Sequence, residues 1–190
     1  MVELKDILYK VHITATSGNM NVEVKGIAFD SRKVQAGFLF VAVKGTQSDG
    51  HSFIEKAIAS GAIAVVCQKL PDTISERVTY VTVKDSSKAL GVIAANFYGN
   101  PSSKIKLVGV TGTNGKTTVA TLLFKLFLSL GYRCGMLSTV VNKIVDKEIP
   151  ATHTTPDPIQ INELLVQMLA ENCTHCFVEV SSHAADQGRI

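Results

Sequence analysis

The stretch Lys104–Ser129, KIKLVGVTGTNGKTTVATLLFKLFLS, decides how the second half of this chain folds. Ile105, Leu107, Val108 and Val110 form a short apolar run that reads as a buried parallel strand. Gly109, Gly112 and Gly115 punctuate the turn after it, and Lys116-Thr117-Thr118 opens a helix with apolar residues at helical spacing. Strand, glycine-rich turn, Lys-Thr and helix are the layout of a phosphate-binding loop. Glycines let backbone N–H groups face a polyphosphate, and the positive end of the helix dipole favours its charge. Lys116 would then reach the β/γ-phosphates, and the Thr117 hydroxyl could ligate Mg²⁺. The general spacing G-x-x-x-x-G-K-[ST] asks for glycine at 110, where valine stands; the run is instead G-x-x-G-x-x-G-K-T from Gly109. A plain glycine turn with a solvated lysine is the alternative. The strand before and the helix after stand where phosphate binding needs them, which favours a nucleotide-phosphate site.

Around that stretch, 190 residues leave room for one large domain or two modest ones, and 46% hydrophobic residues suffice for a packed core. A net charge of +3, with no basic run and no aromatic-plus-basic stripe, points to no nucleic-acid partner. The N-terminus MVELKDILYK has acidic residues inside its apolar pattern, unlike a signal peptide. No apolar stretch approaches the roughly 20 residues that span a bilayer, so no membrane insertion is expected. Leu122–Leu130 comes nearest, and Lys125 interrupts it. Four scattered cysteines, Cys67, Cys134, Cys173 and Cys176, make no disulfide scaffold and suit a reducing cytoplasm. Cys173-Thr-His-Cys176 has the spacing of half a zinc site, but no second pair exists and an apolar strand follows, so plain structural thiols are expected.

Along the chain, residues 2–10 read as an amphipathic helix, and 21–29 (NVEVKGIAF) and Phe38–Val43 as strands about a polar turn, Asp30–Lys33. Ser52–Ala59 reads as a helix whose Ser52 and Glu55 could form a capping box; Ala62–Cys67 and Tyr80–Val83 read as strands. Asp85 or Ser86 caps a helix running to about Phe97. Tyr98-Gly99-Asn100-Pro101-Ser102-Ser103 gathers breaker residues and predicts a domain boundary near residue 103. Beyond it come a strand over 105–110, a helix over 117–129, a strand near Arg133–Leu137 and a variable stretch to Ile149. A helix capped by Asp157-Pro158 and a strand from His175 to Val180 complete the pattern. Strands alternating with helices predict a parallel sheet with functional groups at the C-terminal strand ends. The fold class expected is α/β: a small N-terminal α/β domain (1–103), then the first part of a parallel-sheet, phosphate-loop ATPase domain (104–190).

Glu179 ends that last strand on the same sheet edge as the phosphate loop. A carboxylate there suits a Mg²⁺ that bridges nucleotide phosphates, whereas the plainer alternative is a solvated strand end. Ser181, Ser182, His183, Asp186, Gln187 and Arg189 follow closely. A Ser-His hydrolase is disfavoured because neighbours on a strand end do not set a base against a nucleophile and no G-x-S-x-G elbow exists. A ligand-contacting loop fits better, with Arg189 suited to phosphate or carboxylate. Thr154-Thr155-Pro156-Asp157 lies on a pre-helix loop and is open both to turn-and-cap and to substrate-contact readings.

With these residues in view, the sequence resembles the Mur ligase family over essentially its whole length. The marks are Asp30-Ser31-Arg32 with Gly37–Ala42, GTQSDGH at 45–51, GVTGTNGKTT at 109–118, Thr154–Asp157, and EVSSHAADQGR at 179–189. The family's loop form, GTNGKT, accounts for Val110. The resemblance implies an ATP-dependent ligase that adds a diamino acid, meso-diaminopimelate or L-lysine, to UDP-N-acetylmuramoyl-L-alanyl-D-glutamate through an acyl phosphate. It implies that Phe29, Ser31, Thr46, Gln47 and Ser48 contact the UDP moiety. Gly112, Thr113, Asn114, Gly115, Lys116, Thr117 and Thr118 would bind ATP. His153, Thr154, Thr155, Ser181, Gln187 and Arg189 would contact the muramoyl peptide; the family often has asparagine at 153. Thr117 and Glu179 would ligate Mg²⁺, with Lys116 and Glu179 in catalytic roles, in a cytoplasmic monomer. The family's carbamylated lysine and amino-acid domain are expected beyond Ile190, so the chain is read as an N-terminal fragment not competent alone. Two rivals stay open: another Mur-type ligase, and a non-catalytic nucleotide-binding module.

Overall fold

The computed structural model describes residues 1–45, 48–150 and 157–180, and the chain divides into two compact units, Met1–Phe97 and Tyr98–Ile190. The breaker-rich run at 98–103 predicts a boundary at its end; the units part at its start.

The first unit contains β1 (Val2–Glu3), α1 (Leu4–Ile7), β2 (Ile13–Ser17), β3 (Glu23–Val24), β4 (Gly26–Ala28), β5 (Phe38–Val41), α2 (Ile54–Ala59), β6 (Ala62–Cys67), β7 (Thr79–Val83) and α3 (Ser86–Phe97). Its main sheet runs β2-β7-β6-β5-β4, parallel from β4 to β7 with β2 antiparallel at the edge. The centre falls to the most continuously apolar run, AIAVVC, because a strand covered on both faces has no polar side to show. Phe40, Val65 and Tyr80 pack there with Ile54 and Ala57 of α2.

Two expectations are corrected, and one strand had not been read from the sequence. The helix over 2–10 shrinks to Leu4–Ile7, because Val2 and Glu3 pair with Val24 and Glu23 in a separate two-stranded ribbon. The Ser52 capping box does not form: Gly50–Phe53 is a 3₁₀ turn, and the carboxylate of Asp49 accepts the His51 N–H instead. β2, exposed throughout, has no apolar face that sequence periodicity could register. The cap of α3 is Asp85, whose Oδ1 accepts the N–H groups of Ser87 and Lys88, both at 3.0 Å.

The second unit contains β8 (Lys106–Val110), α4 (Lys116–Ser129), β9 (Cys134–Leu137), β10 (Val141–Ile144), β11 (Lys147–Pro150), α5 (Pro158–Ala170) and β12 (His175–Glu179). The sheet order is β11-β10-β9-β12-β8. β8, β12 and β9 are parallel, whereas β10 and β11 form an antiparallel hairpin, so the expected parallel sheet is mixed. The variable stretch to Ile149 is this hairpin. Asp157 caps α5 by accepting the Gln160 N–H at 2.9 Å, with Pro158 in the first turn.

Strand alternation sorts the two faces of this sheet. Cys176 and Val178 turn toward Leu164, Leu165 and Met168 of α5, while Phe177 turns toward Ala120 and Phe124 of α4. Glu179, in phase with Phe177, therefore lies on the α4 face. β8 departs from the buried strand expected: among the described residues it pairs only with β12, and Leu107 and Val108 are 41% and 36% exposed.

One glycine in the first unit is required by both conformation and space. Gly61 has φ +103°, and a Cβ there would lie 2.7 Å from Ala36 Cα. Its carbonyl also accepts the Gly37 N–H at 2.9 Å, so the turn cannot back away freely. Gly61→Ala is expected to cost about 2 kcal/mol of stability. Urea unfolding measures this, and an unchanged midpoint would contradict the packing described.

Candidate functional site

The loop between β8 and α4 is shaped by glycines in the left-handed region. Gly112 and Gly115 have φ +147° and +80°, and Gly115 is the N-cap residue of α4. That helix start carries no side-chain cap, in contrast to α5 with Asp157. The first intrahelical bond runs from Val119 N–H to Gly115 O, so the N–H groups of Lys116, Thr117 and Thr118 are left to an external acceptor. Residues 111–115 are exposed, and Lys116 and Thr117 half-buried. Exposed donors at a positive helix end suit a phosphate. Lys116 Nζ donates to Gly112 O at 2.8 Å and Thr113 O at 3.3 Å, which parks its charge over the loop. Thr118, Thr113 and Asn114 are exposed.

Glu179 is buried, at 7% exposure, yet not unpaired. Its Oε2 accepts the Thr117 hydroxyl at 3.0 Å, and both the N–H and hydroxyl of Thr139 at 3.2 Å. The two sequence-predicted metal ligands, Thr117 and Glu179, are therefore brought together from the helix start and from a strand end 62 residues later. Both offer hard oxygen donors, the kind Mg²⁺ prefers. Thr139 was absent from the sequence expectations. It lies just past β9, and only the parallel pairing of β9 with β12, Leu137 opposite Val178, brings it to Glu179.

In the first unit, Phe29 and Ser31 follow β4, and Ser48 lies on the connection after β5. β4 and β5 are parallel neighbours, so these residues share the C-terminal edge of the sheet, where α/β folds hold ligands. Phe29 is half-buried, Ser31 is 7% exposed and Ser48 is exposed. The second connection is cinched by the Lys44–Asp49 bridge and by Gly45 N–H donating to Ser48 O at 3.0 Å. Asp49 Oδ1 contacts His51 Nδ1 at 2.6 Å, while His51 Nε2 accepts the Gln68 N–H at 2.8 Å. An acceptor at Nε2 makes the ring the Nδ1–H tautomer, tying this loop to the end of β6. Of the remaining sequence-predicted site residues, Thr46, Gln47, His153, Thr154, Thr155, Ser181, Gln187 and Arg189 lie outside the described residues.

All four cysteines are buried free thiols. Burial pushes Cys67 and Cys134 up to about 11 and raises Cys173 and Cys176 as well. No group of three or more His, Cys, Asp or Glu side chains suited to a metal occurs among the described residues. Cys173 and Cys176 are core packing.

Next to Ser31, the Arg32 guanidinium grips Asp30 with Nε 2.9 and 3.1 Å from its two oxygens and Nη2 2.7 Å from Oδ2. This hydrogen-bonded pairing holds the Asp30 carboxyl down, from 3.8 to about 2. A depressed folded-state value contributes stability above pH 3.8 that is lost as pH falls through about 2. Asp30→Asn keeps an acceptor for the Arg32 N–H and removes the charge. Discounted because Arg32 is 79% exposed, the loss is expected to be about 1 kcal/mol at pH 7. The gap to wild type should close between pH 3.8 and about 2 in denaturation at stepped pH. A gap unchanged at pH 2 would contradict the ion-pair assignment.

Comparison with known proteins adds to this geometry. The family model for the Mur ligase middle domain matches residues 110–190, and that for the Mur ligase family catalytic domain matches 23–98. The UDP-N-acetylmuramoyl-L-alanyl-D-glutamate–2,6-diaminopimelate ligase of Cytophaga hutchinsonii is 59% identical across 100% of this chain, which spans 39% of that relative's length. A solved structure of a ligase of the same name superposes on 99% of the chain, and 37% of its own, with TM-score 0.80 and 28% identity. The MurF ligase of Thermotoga maritima in complex with ADP matches 82% of the chain and 32% of its own, with TM-score 0.56 and 26% identity. No helix among the described residues is long and apolar enough to cross a membrane.

Proposed function

The chain belongs to the Mur ligase family, and we propose that it forms the nucleotide-binding and UDP-substrate-binding part of a diaminopimelate-adding ligase of peptidoglycan synthesis. The observation that carries this reading is the hydrogen bond between Thr117 and Glu179 beside an uncapped, glycine-led helix start. The names of the similar ligases favour 2,6-diaminopimelate over lysine as the amino acid added.

In this reading, residues 104–190 hold ATP and residues 1–103 the UDP end of the substrate, through Phe29, Ser31, Thr46, Gln47 and Ser48. The N–H groups of Lys116, Thr117 and Thr118 take phosphate oxygens, and Lys116 exchanges the carbonyls of Gly112 and Thr113 for the β/γ-phosphates. His153, Thr154, Thr155, Ser181, Gln187 and Arg189 face the muramoyl peptide. Thr117 and Glu179 would hold Mg²⁺, which supplies positive charge against the phosphates. The γ-phosphoryl group of ATP moves to the D-glutamate side-chain carboxylate: an O–P bond forms there as the bond to ADP breaks. The amine of the diamino acid then attacks the acyl carbon, forming the amide, expelling phosphate and losing a proton. A carboxylate needs this step because its oxygen leaves only once it is phosphorylated. The site works in a cytoplasmic monomer.

The test is ligand-induced thermal stabilisation of the wild type and Lys116→Ala. Wild type should be stabilised by ADP with Mg²⁺ and, separately, by UDP-MurNAc-dipeptide. Lys116→Ala should lose the nucleotide shift and keep the other; loss of both would sink the two-site reading. Stabilisation by nucleotide alone in the wild type would favour a nucleotide-binding module that is not a ligase.

A further inference from the structure

We propose that Thr139 is the positioning residue for Glu179, holding its carboxylate in a metal-ready orientation independently of Thr117. The inference rests on the nucleotide-and-metal reading above. Three donors converge on one oxygen, Oε2: the Thr117 hydroxyl at 3.0 Å, and the Thr139 N–H and hydroxyl at 3.2 Å each. Oε1 receives no hydrogen bond from the described residues, so the carboxylate is anchored by one oxygen and presents the other. Thr117 serves two masters, since its hydroxyl oxygen is also the loop's metal donor. Among the described residues, Thr139 bonds only to Glu179. It approaches from a different element and grips Oε2 through both backbone and side chain.

The turn that carries Thr139 is built to hold it. Ser138, only 2% exposed, donates its hydroxyl to Val141 O at 2.6 Å and accepts the N–H groups of Val141 and Val140 at 3.1 and 3.3 Å. Its own N–H donates to Oδ1 of Asn142 at 3.3 Å, a side chain with 0% exposure. The Asn142 amide nitrogen finds no partner among the described residues. Burying an unpaired amide nitrogen works against stability, so the amide's service to this turn runs counter to the interest of the core. Ser138 and Asn142 thus fix the backbone of the β9–β10 connection, and Thr139 is what that connection delivers to the site.

A hydrogen bond to a charged acceptor is roughly twice as strong as a neutral one, so losing the Thr139 hydroxyl should be visible in cation affinity. The experiment is Mg²⁺ titration at fixed fluorescent ADP analogue, with the full chain as wild type, Thr139→Val and Thr139→Ser. Thr139→Val keeps the shape and the backbone N–H but removes the hydroxyl. It should raise the Mg²⁺ concentration for half-maximal nucleotide binding about tenfold, while nucleotide affinity in EDTA stays unchanged. Thr139→Ser should restore the wild-type midpoint to within about twofold, which a merely structural role for the side chain would not require. An unchanged midpoint in Thr139→Val, or an equal loss of affinity in EDTA, overturns the assignment. So does a serine variant as impaired as the valine one. Absence of any Mg²⁺-dependent nucleotide binding in the wild type overturns the metal-site reading itself, and this inference with it.

Discussion

The second unit depends on one contact between sequence-distant groups: the hydrogen bond from the Thr117 hydroxyl to Glu179. It joins the start of α4 to the end of β12, and it forms only if three conditions hold together. The strand must be in phase, so that Glu179 falls on the α4 face with Phe177. α4 must pack on that face through Ala120 and Phe124. The loop before it must turn through Gly112 and Gly115 without a side chain filling the helix start. A buried carboxylate tolerates such a place only because three donors meet it. The same arrangement that satisfies Glu179 places a carboxylate beside exposed N–H groups and a lysine, groups chemically suited to a phosphate and a cation.

The first unit solves a different problem with a related architecture. Its parallel strands bring the connections after β4 and β5 to one edge. Each connection is stiffened by a short aspartate-led turn: Asp30 accepts the Arg32 N–H, and Asp49 accepts the His51 N–H, both at 3.0 Å. Such Asx turns hold loops in one conformation without adding to the core. Ser31 and Ser48 sit beside those turns, which the aspartates frame. Tyr80 and Phe40, both fully buried, anchor β7 and β5 in the core shared with α2.

Much of this was legible in the sequence, for physical reasons that differ by element. β6, α4 and α5 announce themselves through uninterrupted apolar character or helical spacing, and Asp157-Pro158 marks a helix start by chemistry that needs no partner. β2 was illegible because every one of its side chains is exposed, so it has no buried face for sequence periodicity to show. The β10–β11 hairpin hid in a stretch without strong alternation, and it turned an expected parallel sheet into a mixed one. The helix over residues 2–10 failed where Val2 and Glu3 found β partners in Val24 and Glu23, tertiary pairing overriding local pattern. The placement of Lys116 and Thr117 at a helix start and of Glu179 at a strand end was readable from spacing. The contact of Thr139 with Glu179 was not, because it comes from the register of β9 against β12, which no local pattern encodes.

Thr117 and Glu179 are proposed to form one cation site that operates together with nucleotide. Paramagnetic broadening by Mn²⁺, followed on assigned amide resonances with and without ADP, tests it most directly. With ADP present, broadening is expected to centre on Gly115, Thr117, Thr139 and Glu179 and to be reversed by excess Mg²⁺. Broadening centred elsewhere, or the same with and without ADP, would contradict it.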